Sequence, residues 1–284
     1  AVSQALFSWR GMLVFMSIFF MDDPKQKLSP MLDNQNIHKI QPYQRLAAYY
    51  DFLMDYIDYD IWVDDIEALV APFEPGKTWL DISCGTGSMA LRLAQRGMDM
   101  TAVDLSEHMI NVASEKALSE GLKIDYGVGD MIRYSSSKEF DVIINLHDGL
   151  NYLLEISDIE LFLKNTYALL KPGGILLFDV VTPLLCQTHF RGYREIFNDE
   201  RGGYERYTNY DPISQLAESV FTLNTEVADT VDVESHIQKA YEQSDVEGFC
   251  KSSEFEWWQI LDDETLEQPT AKSERFIVML RKTT

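Results

Sequence analysis

Residues 80–88 read LDISCGTGS, and this stretch decides the fold. The preceding segment, TWLDI at 78–82, is apolar enough for a short buried strand and carries Asp81 near its end. Gly85-Thr86-Gly87 then opens a helical pattern over 88–96. Glycines at such a turn accept positive φ and let a ligand touch the backbone. The helix start beyond them offers free N–H groups to an anion.

The same unit recurs downstream. Residues 98–103 form a second strand pattern ending at Asp104, and Ser106 can cap the next helix through 117. A carboxylate at Asp104 can accept both hydroxyls of a ribose. A third strand is expected at 122–126, with Asp130 beyond it in Gly129-Asp130-Met131. A fourth follows at 140–146 (FDVIINL). Ser157 and Glu160 have the spacing of a capping box for a helix to 170, where LKPGG stops it. A fifth strand is expected at 175–180. Strands alternating with helices, the strands continuously apolar, indicate a parallel sheet covered on both faces. The ends of its strands line one crevice.

Upstream, 43–56 and 59–70 have helical patterns, and Pro72, Pro75 and Gly76 end the second. After 180 the rhythm changes. Residues 204–210, 216–223 and 231–238 read as antiparallel strands, and 255–261 and 275–280 as two closing strands that pair and join the sheet edge. The fold expected is α/β: a Rossmann-like, doubly wound, mostly parallel seven-stranded sheet with an antiparallel β-rich cap inserted after strand five. The expected division is a loosely ordered extension at 1–41, a core at 42–182, the cap at 183–250 and the closing strands at 251–284.

The 284 residues are 46% hydrophobic and 25% charged, an ordinary globular balance. With 24 Lys+Arg against 46 Asp+Glu the formal charge is −22, which disfavours a nucleic-acid partner. Cys84, Cys186 and Cys250 are widely spaced and odd in number. They fit free thiols in a reducing, cytoplasmic setting, with no disulfide framework and no zinc site. The apolar run at 11–21 (GMLVFMSIFFM) is too short to span a bilayer and lacks a basic leader and an A-x-A site. Met21 is favoured as the natural start, over a docking helix or a signal, and no stable membrane insertion is expected. Oligomeric state is not legible.

Asp81 with CGTG, Asp104 in AVDLS, Gly129-Asp130-Met131, FDVI and LKPGG together resemble the class I S-adenosylmethionine-dependent methyltransferases. The resemblance spans roughly 43–282. YQRLAAYYDFLM at 43–54 and ESHIQKAY at 234–241 are similar to small bacterial members of unassigned acceptor. The resemblance implies S-adenosylmethionine as cofactor and a small-molecule acceptor. It implies that Asp81 and the Gly85/Gly87 loop hold the methionyl end, Asp104 the ribose and Asp130 the adenine amino group. Leu105 and Met131 would sandwich the adenine, and Ser83, Thr86, Gly129 and Leu146 complete the set. Ser83 stands where many members have Gly or Ala.

Rival readings exist. Gly85-x-Gly87-x-x-Ala90 with Asp104 also fits a nicotinamide dinucleotide oxidoreductase, a weak pattern alone. A catalytically silent S-adenosylmethionine-binding partner is another alternative. APFEPGKT at 71–78 imitates a phosphate-binding loop but follows a helix and leads into a strand, the reverse of the required order. Asp104 or Asp130 could simply cap a helix.

Tyr43, Tyr49 and Tyr50 read as packing aromatics for two of the three, with one over the sulfonium, where an aromatic face suits a cation. Tyr43 and Tyr50, seven apart on one expected helix face, join the cofactor set. His147 or Asp148, after the fourth strand, could take a proton from the acceptor. Asn151 and Tyr152 lie close behind. Glu234, His236 and Gln238 alternate on a strand, so their shared polar face either lines the acceptor pocket or meets solvent. His38, His108 and His189 have no partner spacing and read as surface residues.

Overall fold

The computed structural model describes residues 36–199, 202–225 and 229–283; the run at 11–21 and the Met21 start lie outside the described residues. The chain opens with β1 (Asn36–Lys39), a 3-10 turn (Leu46–Tyr49), α1 (Tyr50–Leu53) and α2 (Tyr59–Val70). Asp58 caps α2 by accepting from the backbone of Asp60 and Ile61, and the helix buries Val63, Ile66 and Val70 on one face. The core continues through β2 (Thr78–Ile82), α3 (Ser88–Gln95), β3 (Asp99–Asp104), α4 (Glu107–Ser119), β4 (Asp125–Val128), β5 (Phe140–Asn145), α5 (Ile156–Leu169) and β6 (Leu170–Val181). A helical turn, α6 (Pro183–Leu185), leads to β7 (Tyr193–Asp199), β8 (Gly202–Asp211), β9 (Leu216–Asn224) and β10 (Thr230–Lys239). The chain ends with α7 (Gln243–Ser252), β11 (Trp257–Asp262) and β12 (Arg275–Arg281).

These strands form two sheets. The seven-stranded core sheet has the order β11-β12-β6-β5-β2-β3-β4. Its four inner pairings, β6-β5, β5-β2, β2-β3 and β3-β4, are parallel, while β12 runs antiparallel to both β6 and β11. Adjacent residues of β5 serve opposite faces: Val142 and Ile144 pack towards α2 and α3, Ile143 towards α5 and α7. The cap is a five-stranded sheet, β1-β10-β9-β8-β7, with β1 parallel to β10 and the rest antiparallel. Among the described residues no helix is long and apolar enough to cross a membrane.

Several local expectations are corrected. The third strand starts at Asp125, because Leu122 closes α4 instead. Its N–H bonds Ala117 O and that of Gly121, at φ +67, bonds Leu118 O, a Schellman ending. The Ser157/Glu160 box does not form; α5 starts earlier, with Glu155 at the N-cap and no side-chain bond there. A capping box does form at α7, between Glu242 and Asp245. LKPGG ends α5 but is itself the start of β6, held by Gly173 N–H to Lys282 O and Lys282 N–H to Gly174 O. Within the stretch expected to be loose, Asn36–Lys39 is a strand, supplied with partners by the edge of β10. APFEPGKT forms a 3-10 turn running into β2, as a connector.

Candidate active site

A cavity of about 550 Å³ opens at the C-terminal ends of β2, β3 and β5, beneath residues 41–44. That lies within the roughly 300–1,000 Å³ of small-molecule sites. One half is built by the glycine turn. Gly87 has φ +76, and a Cβ there would come 2.5 Å from Tyr126 Oη. Ser83 also sits in the left-handed region, at φ +74. It is held there by its N–H to Val103 O and by Asn145, whose Nδ2 donates to Ser83 Oγ and to Ile82 O. Thr86 Oγ1 donates to Asp51 at 2.5 Å, and Lys116 reaches the same carboxylate at 2.8 Å.

The three acidic strand ends differ. Asp104 accepts from Gly85 N and from Ser106 N, both at 2.9 Å, so it joins the glycine turn to the start of α4. Burial holds its carboxyl above the ordinary range despite these bonds. Asp81 is buried, and its Oδ2 has no hydrogen-bond partner among the described residues. Burial, with Asp104 nearby, pushes that carboxyl up to about 8. Asp130 accepts from Ile132 N at 3.0 Å and from Arg133 at 2.7 Å. Leu105 lines the cavity yet is 74% exposed. A buried carboxyl with a free oxygen suits a cationic donor, and an exposed leucine suits the face of an apolar ring. Both fit the adenosyl and amino-acid ends of S-adenosylmethionine. Ser83, Gly85, Thr86, Gly129, Met131 and Leu146 line the same cavity.

The other half is aromatic. Tyr43, Tyr50, Tyr59 and Tyr152 line it with His147. Tyr43 is not helical: it has φ +61, and its N–H donates to Glu234. It still meets Tyr50 edge-on at 5.7 Å, through a turn and not through a shared helix face. Tyr49 packs into the cap with Leu46, Tyr204, Phe221 and Leu223.

His147 and Asp148 both have positive φ, 60° and 68°. Asp148 is ion-paired to the buried Arg275, which also holds Asp179, with Asp263 at 3.7 Å from its Nε. Burial outweighs the guanidinium and raises Asp179 and Asp263 to about 7 each. This knot fixes the loop after β5. His147 is wedged beside Trp62 at 4.7 Å and Tyr59 at 5.0 Å. Burial, then Arg275, lowers its pKa to about 3, so it is neutral and a weak proton acceptor.

The cap strand turns its polar face inward. Glu234 and His236 are buried but do not border the cavity. Glu234 accepts from the backbone of Tyr43, Arg45 and Leu46 at 2.7, 2.6 and 2.9 Å. Gln238 donates to Asp148 O at 3.3 Å. Asn151 is buried and bonds the backbone of Val181 and Lys239. Of these residues after β5 and on the cap, Tyr152 alone reaches the cavity with His147. His38 and His189 have carboxylate partners, Asp232 and Glu274, and His108 borders the cavity mouth.

Sequence reading missed Tyr59, Asp51, Asn145 and the Arg275 knot. Asn145 had a signal, a lone amide ending an apolar strand. Arg275 had none, because its partners are brought together only by tertiary pairing.

Residues 80–174 match the family described as methyltransferase domain. The Bacillus subtilis (strain 168) protein YqeM, named as a methyltransferase, is 34% identical over 244 residues, covering 84% of this chain and 97% of that one. A solved S-adenosylmethionine-dependent methyltransferase from Clostridium acetobutylicum superposes with a TM-score of 0.71 at 23% identity, over 84% of this chain and 97% of its own. The sugar N-methyltransferase KedS8 from Streptoalloteichus gives 0.66 at 18% identity, over 83% and 93%.

Proposed function

The chain belongs to the class I S-adenosylmethionine-dependent methyltransferases, and on that premise we propose that it methylates a small molecule held beneath the cap. S-adenosylmethionine is its methyl donor, and when bound it supplies an electrophilic methyl group on a cationic sulfur. The oxidoreductase alternative falls with the family. In the proposed arrangement Asp104 accepts the ribose hydroxyls, Asp130 the adenine amino group, and Leu105 and Met131 cover the ring. Asp81 takes the ammonium of the methionyl end, beside the Gly85–Thr86–Gly87 turn, with Ser83, Gly129 and Leu146 as walls. Tyr43 and Tyr50 stand over the reacting end.

The observation that carries the reading is continuity. One cavity runs from Asp81 and Asp104 at the strand ends to four tyrosines under the cap. The protein's work there is to align the acceptor and exclude water. An amine acceptor is favoured by the likeness to a sugar N-methyltransferase, which extends over 83% of this chain. The charge of −22 disfavours nucleic acid, and three free thiols favour the cytoplasm. Neither His147 nor Asp148 is assigned as base: one is a weak acceptor and the other is held by Arg275.

The test is transfer of labelled methyl to a panel of amino sugars, phenols and basic peptides. Label on a small amine is the expected result; label on peptides alone would contradict the proposal.

A further inference from the structure

A chain of polar side chains leads out of the cavity into the cap. Tyr43 Oη lies 2.5 Å from Tyr152 Oη, Tyr152 Oη 3.0 Å from His236 Nδ1, and His236 Nε2 3.4 Å from Glu234 Oε2. The two tyrosines border the cavity, and His236 and Glu234 are buried behind them. We propose that this chain carries away the proton of an amine acceptor, with Tyr43 and Tyr152 as the catalytic phenols and His236 and Glu234 as positioning residues. The inference rests on the small-molecule reading above.

The step balances as follows. The acceptor nitrogen bonds the methyl carbon while the carbon–sulfur bond breaks, its electron pair staying on sulfur. The nitrogen gives one N–H proton to Tyr43 Oη. Tyr43 passes its own proton to Tyr152 Oη, and Tyr152 passes its proton to His236 Nδ1. The products are a methylated amine, two neutral phenols and an imidazolium facing the Glu234 carboxylate.

A relay suits these groups better than a tyrosinate base. Desolvation raises both phenols above their ordinary range, so phenolate is disfavoured. A phenol that takes one proton while giving another never carries the charge. The chain ends at an imidazole whose Nε2 lies 3.4 Å from Glu234 Oε2, beyond a formed hydrogen bond. The charges around it are few. Glu234 shares its strand. Arg206 on β8 stacks on Phe221 at 5.4 Å, and Phe221 meets His236 at 5.3 Å. Asp232 is paired to Arg45, and Asp148 acts on both phenols through space.

Glu234 also pins residues 43–46, so the test must separate relay from scaffold. The full chain saturated with S-adenosylhomocysteine is examined first by imidazole 15N NMR. His236 is expected neutral, with its proton on Nε2 and with an Nδ1 resonance that moves in Tyr152→Phe, a variant that removes one oxygen only. An unmoved resonance overturns the relay whether or not any acceptor is found. With the amine that the panel returns, His236→Asn and Tyr152→Phe are expected to lower kcat at least tenfold. Both should leave S-adenosylhomocysteine affinity and melting temperature near wild type. Folded variants that keep kcat overturn the relay and leave the small-molecule reading standing. A His236 signal that depends on Tyr152, with label on peptides alone, overturns that reading and not the hydrogen-bonded chain; label on phenols and on no amine overturns the relay of an amine proton.

Discussion

The strand-end crevice and the cap face both present buried acidic residues, yet they use them differently. In the crevice, Asp81 keeps one carboxylate oxygen without a partner among the described residues, and Leu105 stands 74% exposed. In the cap, both oxygens of Glu234 are occupied by three backbone N–H groups. On the proposed assignment a ligand completes the crevice, whereas the cap carboxylate is completed by the fold. A polar residue facing inward is therefore not by itself a ligand contact; the number of donors already pointing at it decides.

The sharpest way to break that contrast is Glu234→Ala. Three N–H groups, one buried and two part-buried, at roughly 1 kcal/mol each should cost about 2–3 kcal/mol of stability, read by urea unfolding. A neutral result would make Glu234 a group waiting for ligand, like Asp81.

Asp104→Ala should act mainly on the ligand. Losing hydrogen bonds to a charged acceptor, about 1.5–3 kcal/mol, corresponds to a fall in S-adenosylmethionine affinity of roughly 10–150-fold by calorimetry. Unchanged affinity would reduce Asp104 to a brace between the glycine turn and α4.

A third test is pH. Because the folded-state pKa of Asp81 is raised to about 8, the native protein holds a proton there that the unfolded chain has already lost. Stability should therefore fall as pH rises from the ordinary carboxyl range towards 8, and level off beyond it. An ammonium partner restores the carboxylate, so binding at pH 7 should release roughly one proton. Calorimetry in buffers of different ionisation enthalpy measures this. No proton release would remove Asp81 from the site.

The smallest expected effect is at Leu105. Leu105→Ala should leave the melting temperature unchanged, because the side chain is exposed without ligand. It should weaken S-adenosylmethionine binding by about 1 kcal/mol or somewhat more, from apolar area covered by the adenine. A lowered melting temperature with unchanged affinity would reverse that assignment.

The same contrast explains what was legible in the sequence. Strand ends, glycine turn and acidic spacing are local features, so β2, α3 and Asp104 stand close to where pattern and turn chemistry put them. The polar period of β10 was also visible, and so was its inward or outward choice. Its partners were not: they come from residues 43–46, brought over the cap by tertiary packing. Likewise Asp148 reads as a free acid until Arg275, 127 positions away, is folded onto it. The strands Asn36–Lys39 and Tyr193–Asp199 were missed because they are short or highly polar edges, whose pairing is decided by the neighbouring strand.

The most direct test is a crystal structure with S-adenosylhomocysteine bound. The ribose hydroxyls should lie on Asp104, the amino group near Asp81, and the sulfur should face the Tyr43–Tyr152 pair under the cap. A ribose away from Asp104, or a sulfur turned from that aromatic chamber, would contradict the assignment of the two halves of the cavity.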